Sequence, residues 1–191
     1  FTIFSKYELN ISNSLNYHVV ESNNFSHNYE RKEADNSISL KSNLLGLFNY
    51  YVGIKNQVVD FNSYRLIPSL GFDFSVSDNL SFQASYNQNY HYPTLNDLYW
   101  EYDGNAKGNP ELNPEKGYSA ELGLNINKKY KSTQQSISFT LFYSQIQDWI
   151  LWQYNFDDVL NQMIWFPENL RNVERKGIEV SFENIYKSNA F

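Results

Sequence analysis

The sequence predicts an all-β fold, an antiparallel up-and-down meander forming part of a transmembrane β-barrel, and three observations carry that prediction. Apolar and polar residues alternate with the period of a strand over several segments. Aromatic residues make up 18% of the chain, with 16 Tyr, 14 Phe and 4 Trp, yet the mean hydropathy is −0.58 and Asn and Ser abound. Tight polar turns alternate along the chain with long connections, as expected of short periplasmic turns and longer extracellular loops. A wall with lipid on one side and water on the other needs both large rings and small polar groups, because successive strand side chains point to opposite faces.

In chain order, Phe1 to Ile11 alternates loosely and Leu15 to Val20 offers a further short strand. The polar stretch Glu21 to Asn36 reads as a loop at one end or the other, and Ile38 to Ile54 alternates again. Tyr64, Leu66, Leu70, Phe72, Phe74 and Val76 fall in phase and lead into the turn Ser77-Asp78-Asn79. The clearest strand runs from Leu80 to Tyr90: Leu80, Phe82, Ala84, Tyr86 and Tyr90 share one face, and Ser81, Gln83, Ser85, Asn87 and Asn89 the other. His91 to Lys116 is a long connection, after which Tyr118, Ala120, Leu122, Leu124 and Ile126 resume the pattern. Lys128 to Thr133 is a turn, Ile137 to Trp149 a strand, Gln153 to Asn172 a second long connection and Ile178 to Tyr186 a last strand. The total is about seven strands, with Leu15 to Val20 as one more. The apolar face belongs against lipid, with Ser81, Gln83, Ser85, Glu121 and Asn125 lining the interior. Tyr86, Tyr90, Tyr92, Trp149 and Trp152 lie near strand ends, where an aromatic girdle meets headgroups.

A soluble β-sandwich also alternates, but its wet face is normally rich in Lys and Glu rather than in Asn, Gln and Ser. The longest apolar runs, such as Trp149 to Trp152, fall far short of the ~20 residues of a spanning helix. Phe1 stands where Met would, with no charged n-region or apolar h-region behind it, which suggests a processed or excised chain. Cys is absent, removing disulfides, thiolate metal sites and Cys nucleophiles. A net charge of −6 argues against nucleic acid. His18, His27 and His91 show no ligand spacing, so a metal centre has little support. The acidic run Glu101-Tyr102-Asp103-Gly104-Asn105 lacks the ligand series of a calcium loop and reads as a solvated turn. Asp157-Asp158 and Glu111 with Glu115 follow no acid–base spacing, and there is neither a phosphate loop nor a nucleophile elbow. No enzyme and no cofactor is expected.

The segment YHYPTLNDLYWEYDGNAKGNPELNPEKGYSAE, from Tyr90 to Glu121, is the most specific part of the chain. Asn109-Pro110 and Asn113-Pro114 are turn-forming pairs that fix φ and remove backbone donors, so Gly108 to Glu115 should be an ordered excursion that delivers the chain back into a strand. The segment resembles the hallmark of TonB-dependent outer-membrane receptors, matched here by Pro93, Leu98, Tyr99, Gly108, Asn109, Pro110, Leu112, Pro114, Glu115 and Glu121. His91 stands where that family commonly has a basic residue. A second match runs from Asn172 through Val173, Glu174, Arg175 and Lys176 to Gly177, Ile178 and Glu179. The likeness is clearest over Tyr64 to Tyr186 and extends to vitamin B12 and siderophore receptors alike.

The resemblance implies a bacterial outer-membrane location and a part in importing a scarce nutrient, such as an iron chelate or cobalamin, with TonB-coupled energy. Family barrels have about 22 strands closed around a plug, so residues 1–191 read as a partial barrel without plug domain or TonB-contacting segment. Its implied partners are outer-membrane lipid, the rest of the receptor barrel and its plug, the TonB complex through that plug, and a small-molecule nutrient. A small self-contained barrel serving as anchor or adhesin is the alternative, and a glycan-importing relative differs only in cargo. Candidate ligand contacts on the long connections are Trp100, Tyr102, Trp152, Tyr154, Trp165 and Phe166, with Glu101, Asp103 and Arg171 as polar partners.

Overall fold

The computed structural model describes residues 6–63 and 66–186, and these build one antiparallel sheet. Its strands are β1 (Lys6–Val20), β2 (Tyr29–Leu44), β3 (Phe48–Val59), the two-residue β4 (Asn62–Ser63), β5 (Ile67–Ser77), β6 (Leu80–His91), β7 (Glu115–Tyr130), β8 (Thr133–Asp157) and β9 (Gln162–Tyr186). A single short helix, α1 (Leu95–Tyr99), interrupts them. The order is β1-β2-β3-β5-β6-β7-β8-β9, with β4 folding back on the end of β3, so each long strand pairs with its neighbours in sequence. Among the described residues β1 pairs only with β2, and β9 pairs with β8 and, at its outer edge, by one bridge at Trp165.

Register explains the alternation. Phe74 faces Phe82, which faces Leu124, which faces Phe139, which faces Val180; one step along, Phe72, Ala84, Leu122, Leu141 and Ile178 form the next row. The intervening row is Asp73, Gln83, Gly123, Thr140 and Glu179. A slip of one residue in any pair would exchange these faces, so the patterning fixes the register. The apolar face lies uncovered: Leu122 is 60% exposed and Ile178 69%. Such a surface suits lipid. The Tyr86, Tyr118 and Tyr143 rings lie side by side on it, at centroid spacings of 6.4 and 5.8 Å, as a girdle row.

On the polar face glycines let neighbouring side chains lie flat. A Cβ at Gly123 would come within 2.4 Å of the Gln83 side chain, and one at Gly177 within 2.7 Å of the Phe142 ring.

Four expectations need correction. Ile38 to Ile54 is not one strand but the end of β2 and the start of β3, broken at Leu45 (φ 56°) and Gly46 (φ 71°), where Leu47 N donates to Leu44 O. The turn is apolar apart from its glycine, which concealed it. Glu21 to Asn36 is a loop only as far as Asn28; β2 starts at Tyr29, and its first residues are polar on both faces because the strand continues past the apolar band into water. Gln153 to Asn172 is not a loop at all. β8 and β9 stay paired out to Asp157 and Gln162, and the turn between them is held by Asp157 Oδ1, which accepts from Val159 N at 2.8 Å and Leu160 N at 2.9 Å. Asp148 has a φ of 56°, and past Trp149 the rings fall at even positions (Trp152, Tyr154, Phe156) rather than at the odd ones of Phe139 and Tyr143, so the period breaks although the strand does not. Leu15 to Val20 is the outer half of β1 rather than a separate strand. Tyr64, read as the start of a strand, lies outside the described residues, and β5 begins at Ile67.

The turns Leu45–Leu47, Asp78–Asn79 and Lys131–Ser132 close one end of the sheet. At the other lie the 21–28 loop, the 92–114 excursion and the tip of the β8–β9 hairpin. With 25 residues each, β8 and β9 far exceed the ~9–11 needed to span a bilayer, so their distal ends project beyond it. The buried apolar side chains collect at this end: Phe25, Val59, Ile67, Leu95, Leu98, Leu112 and Ile164.

Candidate functional site

The 92–114 excursion is an ordered brace across the long-loop end. Thr94 caps α1: its Oγ1 accepts from Asp97 N at 3.1 Å while Asp97 Oδ2 accepts from Thr94 N at 2.8 Å, a reciprocal capping box. Leu95 and Leu98 point into the buried cluster, and Pro93 is fully buried. Gly108 N donates to Trp100 O at 2.7 Å, and a Cβ at Gly108 would sit 2.6 Å from Trp100 N and 2.9 Å from Tyr99 N, so no side chain fits there. Asn109 N donates to Asp97 O at 2.7 Å, and Asn109 Oδ1 accepts from Glu111 N at 3.0 Å.

Both flanks of the sheet hold this brace. Toward β1 and β2, Glu101 N donates to Asn24 O at 2.9 Å, Arg31 Nη2 donates to Pro93 O at 2.7 Å, and the Tyr99 ring stacks on Tyr29 at 4.1 Å with an interplanar angle of 2°. Burial raises the Tyr99 phenol above its ordinary pKa, with Tyr92, Tyr29 and Asp60 adding to the rise and Arg31 opposing it. Toward β8 and β9, Trp152 Nε1 donates to Asp97 Oδ1 at 2.8 Å and Asn109 Nδ2 to Pro167 O at 3.1 Å. Asn113 N donates to Asn169 Oδ1 at 2.8 Å, and Ile150 N donates to Glu115 Oε1 at 2.9 Å. Residues 105–107 add to the edge of β9, with Trp165 N donating to Asn105 O and Lys107 N to Trp165 O, at 2.8 and 2.9 Å.

The structure sorts the sequence-predicted residues into two roles. Pro93, Leu98, Tyr99, Gly108, Asn109, Leu112 and Glu115 build the brace; Pro110 is exposed and Pro114 half-buried on its return leg. Glu121 lies on the polar face opposite Ser85 and Phe142, and Gly177 and Glu179 are mid-strand on that face of β9. Among the ligand candidates, Trp100 Nε1 donates to Asp103 Oδ2 at 3.2 Å. Asp103 Oδ1 accepts from Asn105 N and Ala106 N at 2.9 and 2.8 Å, and these bonds hold its carboxyl below the usual range. Glu101 carries the backbone bond to Asn24. Tyr102 pairs its hydroxyl with Gln162, and Tyr154 and Trp165 form a tilted ring pair at 5.4 Å. Tyr154 and Trp165 share one wet aromatic patch with Phe156 and Met163 at the hairpin tip, and Tyr102 is exposed as well. Trp152 is instead committed to Asp97, Phe166 faces Gln153, and Arg171 is exposed lower on β9. Trp152, Tyr154, Trp165, Phe166 and Arg171 all stand on strands, not on a loop.

Sequence reading missed Asp97, Tyr29 and Arg31. The Thr94–Asp97 spacing is a legible cap signal, and Tyr29 and Arg31 alternate with Glu33 on one face of β2 once that strand is known to start at Tyr29. Arg31 is 7% exposed; it lies 4.9 Å from the centroid of the Tyr92 ring, and its Nε is buried without a partner. It lines a cavity of about 510 Å³ with His18, Glu33, Gln57, His91 and Asn96.

The family described as TonB-dependent receptor-like, β-barrel matches residues 35–190. The vitamin B12 transporter BtuB of Vibrio vulnificus (strain YJ016) is 33% identical over 112 residues, covering 59% of this chain and 16% of the relative. The siderophore receptor PirA of Pseudomonas aeruginosa superposes with a TM-score of 0.76 at 14% identity, over 91% of this chain and 32% of that one. The hemophore receptor HasR of Serratia marcescens, solved with its hemophore HasA and heme, gives 0.70 at 11% identity, over 95% of this chain and 39% of that one. At those identities the two structures speak for the fold. The chain spans about a sixth of the curated relative and a third or so of the structures.

Proposed function

The chain belongs to the TonB-dependent receptor-like β-barrel family, one of receptors and transporters rather than enzymes, and from that premise we propose that it forms a ligand-facing portion of an importer's barrel in the bacterial outer membrane. The cargo is a scarce nutrient, an iron chelate or cobalamin, and uptake draws on TonB through a plug held by the rest of the receptor. The observation that carries this reading is the brace of residues 92–114: the long-loop end is tied from β1–β2 across to β8–β9, and Tyr102 on the brace and the Tyr154–Trp165 patch on the hairpin stay exposed rather than buried. Rigid presentation suits recognition, since fixed rings lose little freedom when a cargo stacks on them. The outer edge of β1 and that of β9 below Trp165, unpaired among the described residues, favour incorporation into a larger barrel over a self-contained one.

The test is binding by the complete receptor to cobalamin, ferric siderophores, heme and oligosaccharides, before and after Tyr102→Ala, Tyr154→Ala and Trp165→Ala. One cargo should bind, and each substitution should weaken it by roughly 1–3 kcal/mol. Unchanged affinity in all three variants would remove the patch from the site, and binding of an oligosaccharide alone would replace the cargo class.

A further inference from the structure

We propose that Arg31 binds an oxyanion, a carboxylate or phosphate group carried by the imported molecule, in the cavity between the outer ends of β1 and β2 and the 92–114 brace. This rests on the importer reading and adds to it a charge requirement on the cargo.

The argument begins with an unbalanced charge. Arg31 is 93% buried, and among the described residues no carboxylate lies within ion-pair distance of it. Its partners are the Pro93 carbonyl, a neutral acceptor, and the Tyr92 ring, and its buried Nε has none. A buried cation left this way is costly unless a counter-charge arrives, because neither a carbonyl nor a ring restores what hydration gave it. Tyr92 and Pro93 belong to the brace, so the motif itself fixes the guanidinium in place.

The cavity has the right size and lining for such a partner. Its volume of about 510 Å³ falls in the range of small-molecule sites. His18, His91, Gln57 and Asn96 bring further donors to its wall, and Glu33, the one acidic residue lining it, faces His18 Nε2 at 3.7 Å. A guanidinium presents a planar fork that matches two oxygens of a carboxylate or phosphate, which a lone ammonium does not. The cavity also lies on the polar face, since Arg31 is in phase with Glu33 and Asp35, so a molecule entering from the long-loop end meets it before descending the wall.

The experiment titrates the complete receptor, purified in detergent, with citrate and with inorganic phosphate, following heat of binding and Trp fluorescence in wild type, Arg31→Lys and Arg31→Gln. Wild type should bind at least one of the two with an affinity that falls as salt rises. Arg31→Gln should lose about 30-fold, and Arg31→Lys should retain part of the affinity. Heat-modifiable migration on gels reports whether each variant still folds. The proposal is overturned if neither anion binds wild type, or if Arg31→Gln binds as well as wild type. It is equally overturned if both variants fail to fold, since Arg31 is then paired with a carboxylate of another part of the receptor and serves its structure. Nutrient uptake by wild-type cells separates the two ideas: uptake without anion binding leaves the importer reading standing and removes this one, whereas absence of any uptake removes the reading beneath it.

Discussion

Placing an arginine on either face of the sheet gives the two faces very different free energies. Leu122 is the midpoint of the apolar run Tyr118, Ala120, Leu122, Leu124, Ile126, and it faces Ala84 on one side and Leu141 on the other. In a bilayer that places it near the midplane, where Leu122→Arg should cost about 2–4 kcal/mol. Phe82 pairs with Leu124, one step nearer the short-turn rim, so Phe82→Arg should cost less, roughly 1–3 kcal/mol. Gln83 points the other way. It lies across Gly123 and faces Asp73, so an arginine there enters water beside a carboxylate and should cost under about 1 kcal/mol. The assay is urea unfolding of the complete protein reconstituted in thin-bilayer vesicles, read by heat-modifiable gel mobility. Equal destabilisation by Leu122→Arg and Gln83→Arg would refute the assignment of one face to lipid. A larger loss at Gln83 would invert it.

Further perturbations test the brace and the open edges. Gly108→Ala forces a Cβ against the backbone of Leu98, Tyr99 and Trp100, so the 92–114 excursion should loosen by about 1–3 kcal/mol and become a protease site, while Gly123→Ala, which meets only a flexible Gln83 side chain, should leave it intact. Asp97→Ala removes both the capping box and the Trp152 bond and should cost about 1–2 kcal/mol, seen as earlier loss of Trp fluorescence anisotropy on heating. Asp103 is held below its ordinary value of 3.8, so its contribution to loop order is complete above that pH and disappears as pH falls through the lowered value; Trp100 emission should change only in that acid range, and Asp103→Ala should abolish the change. The 191-residue chain alone, with the outer edge of β1 and that of β9 below Trp165 unpaired among the described residues, should self-associate in detergent, and a monomeric closed barrel would overturn the partial-barrel reading.

Alternation alone determined the strands and their two faces through β5, β6, β7 and the membrane half of β8, because a half-wet strand repeats every two residues and a one-residue slip would put Gln83 where Phe82 belongs. The Asn-Pro pairs likewise made the excursion after β6 legible, since proline forbids a continuing ladder. What the pattern could not reach were the places where a strand leaves the bilayer. There both faces are wet, so Tyr29 to Asn36 and Gln153 to Asn172 look like loops although their backbones remain paired. The alternation of β8 breaks around Asp148, where φ is positive, and an apolar turn at Leu45-Gly46 joined two strands into one run. Only the tertiary structure decided which candidates meet. It tied Trp152 to Asp97, brought Tyr102 to Gln162 and Ala106 to Trp165 at the hairpin edge, and buried Arg31 beneath a loop that lies 62 residues further along the chain. Contacts at that separation depend on how the strands curl and where the brace lands, and no local periodicity records either.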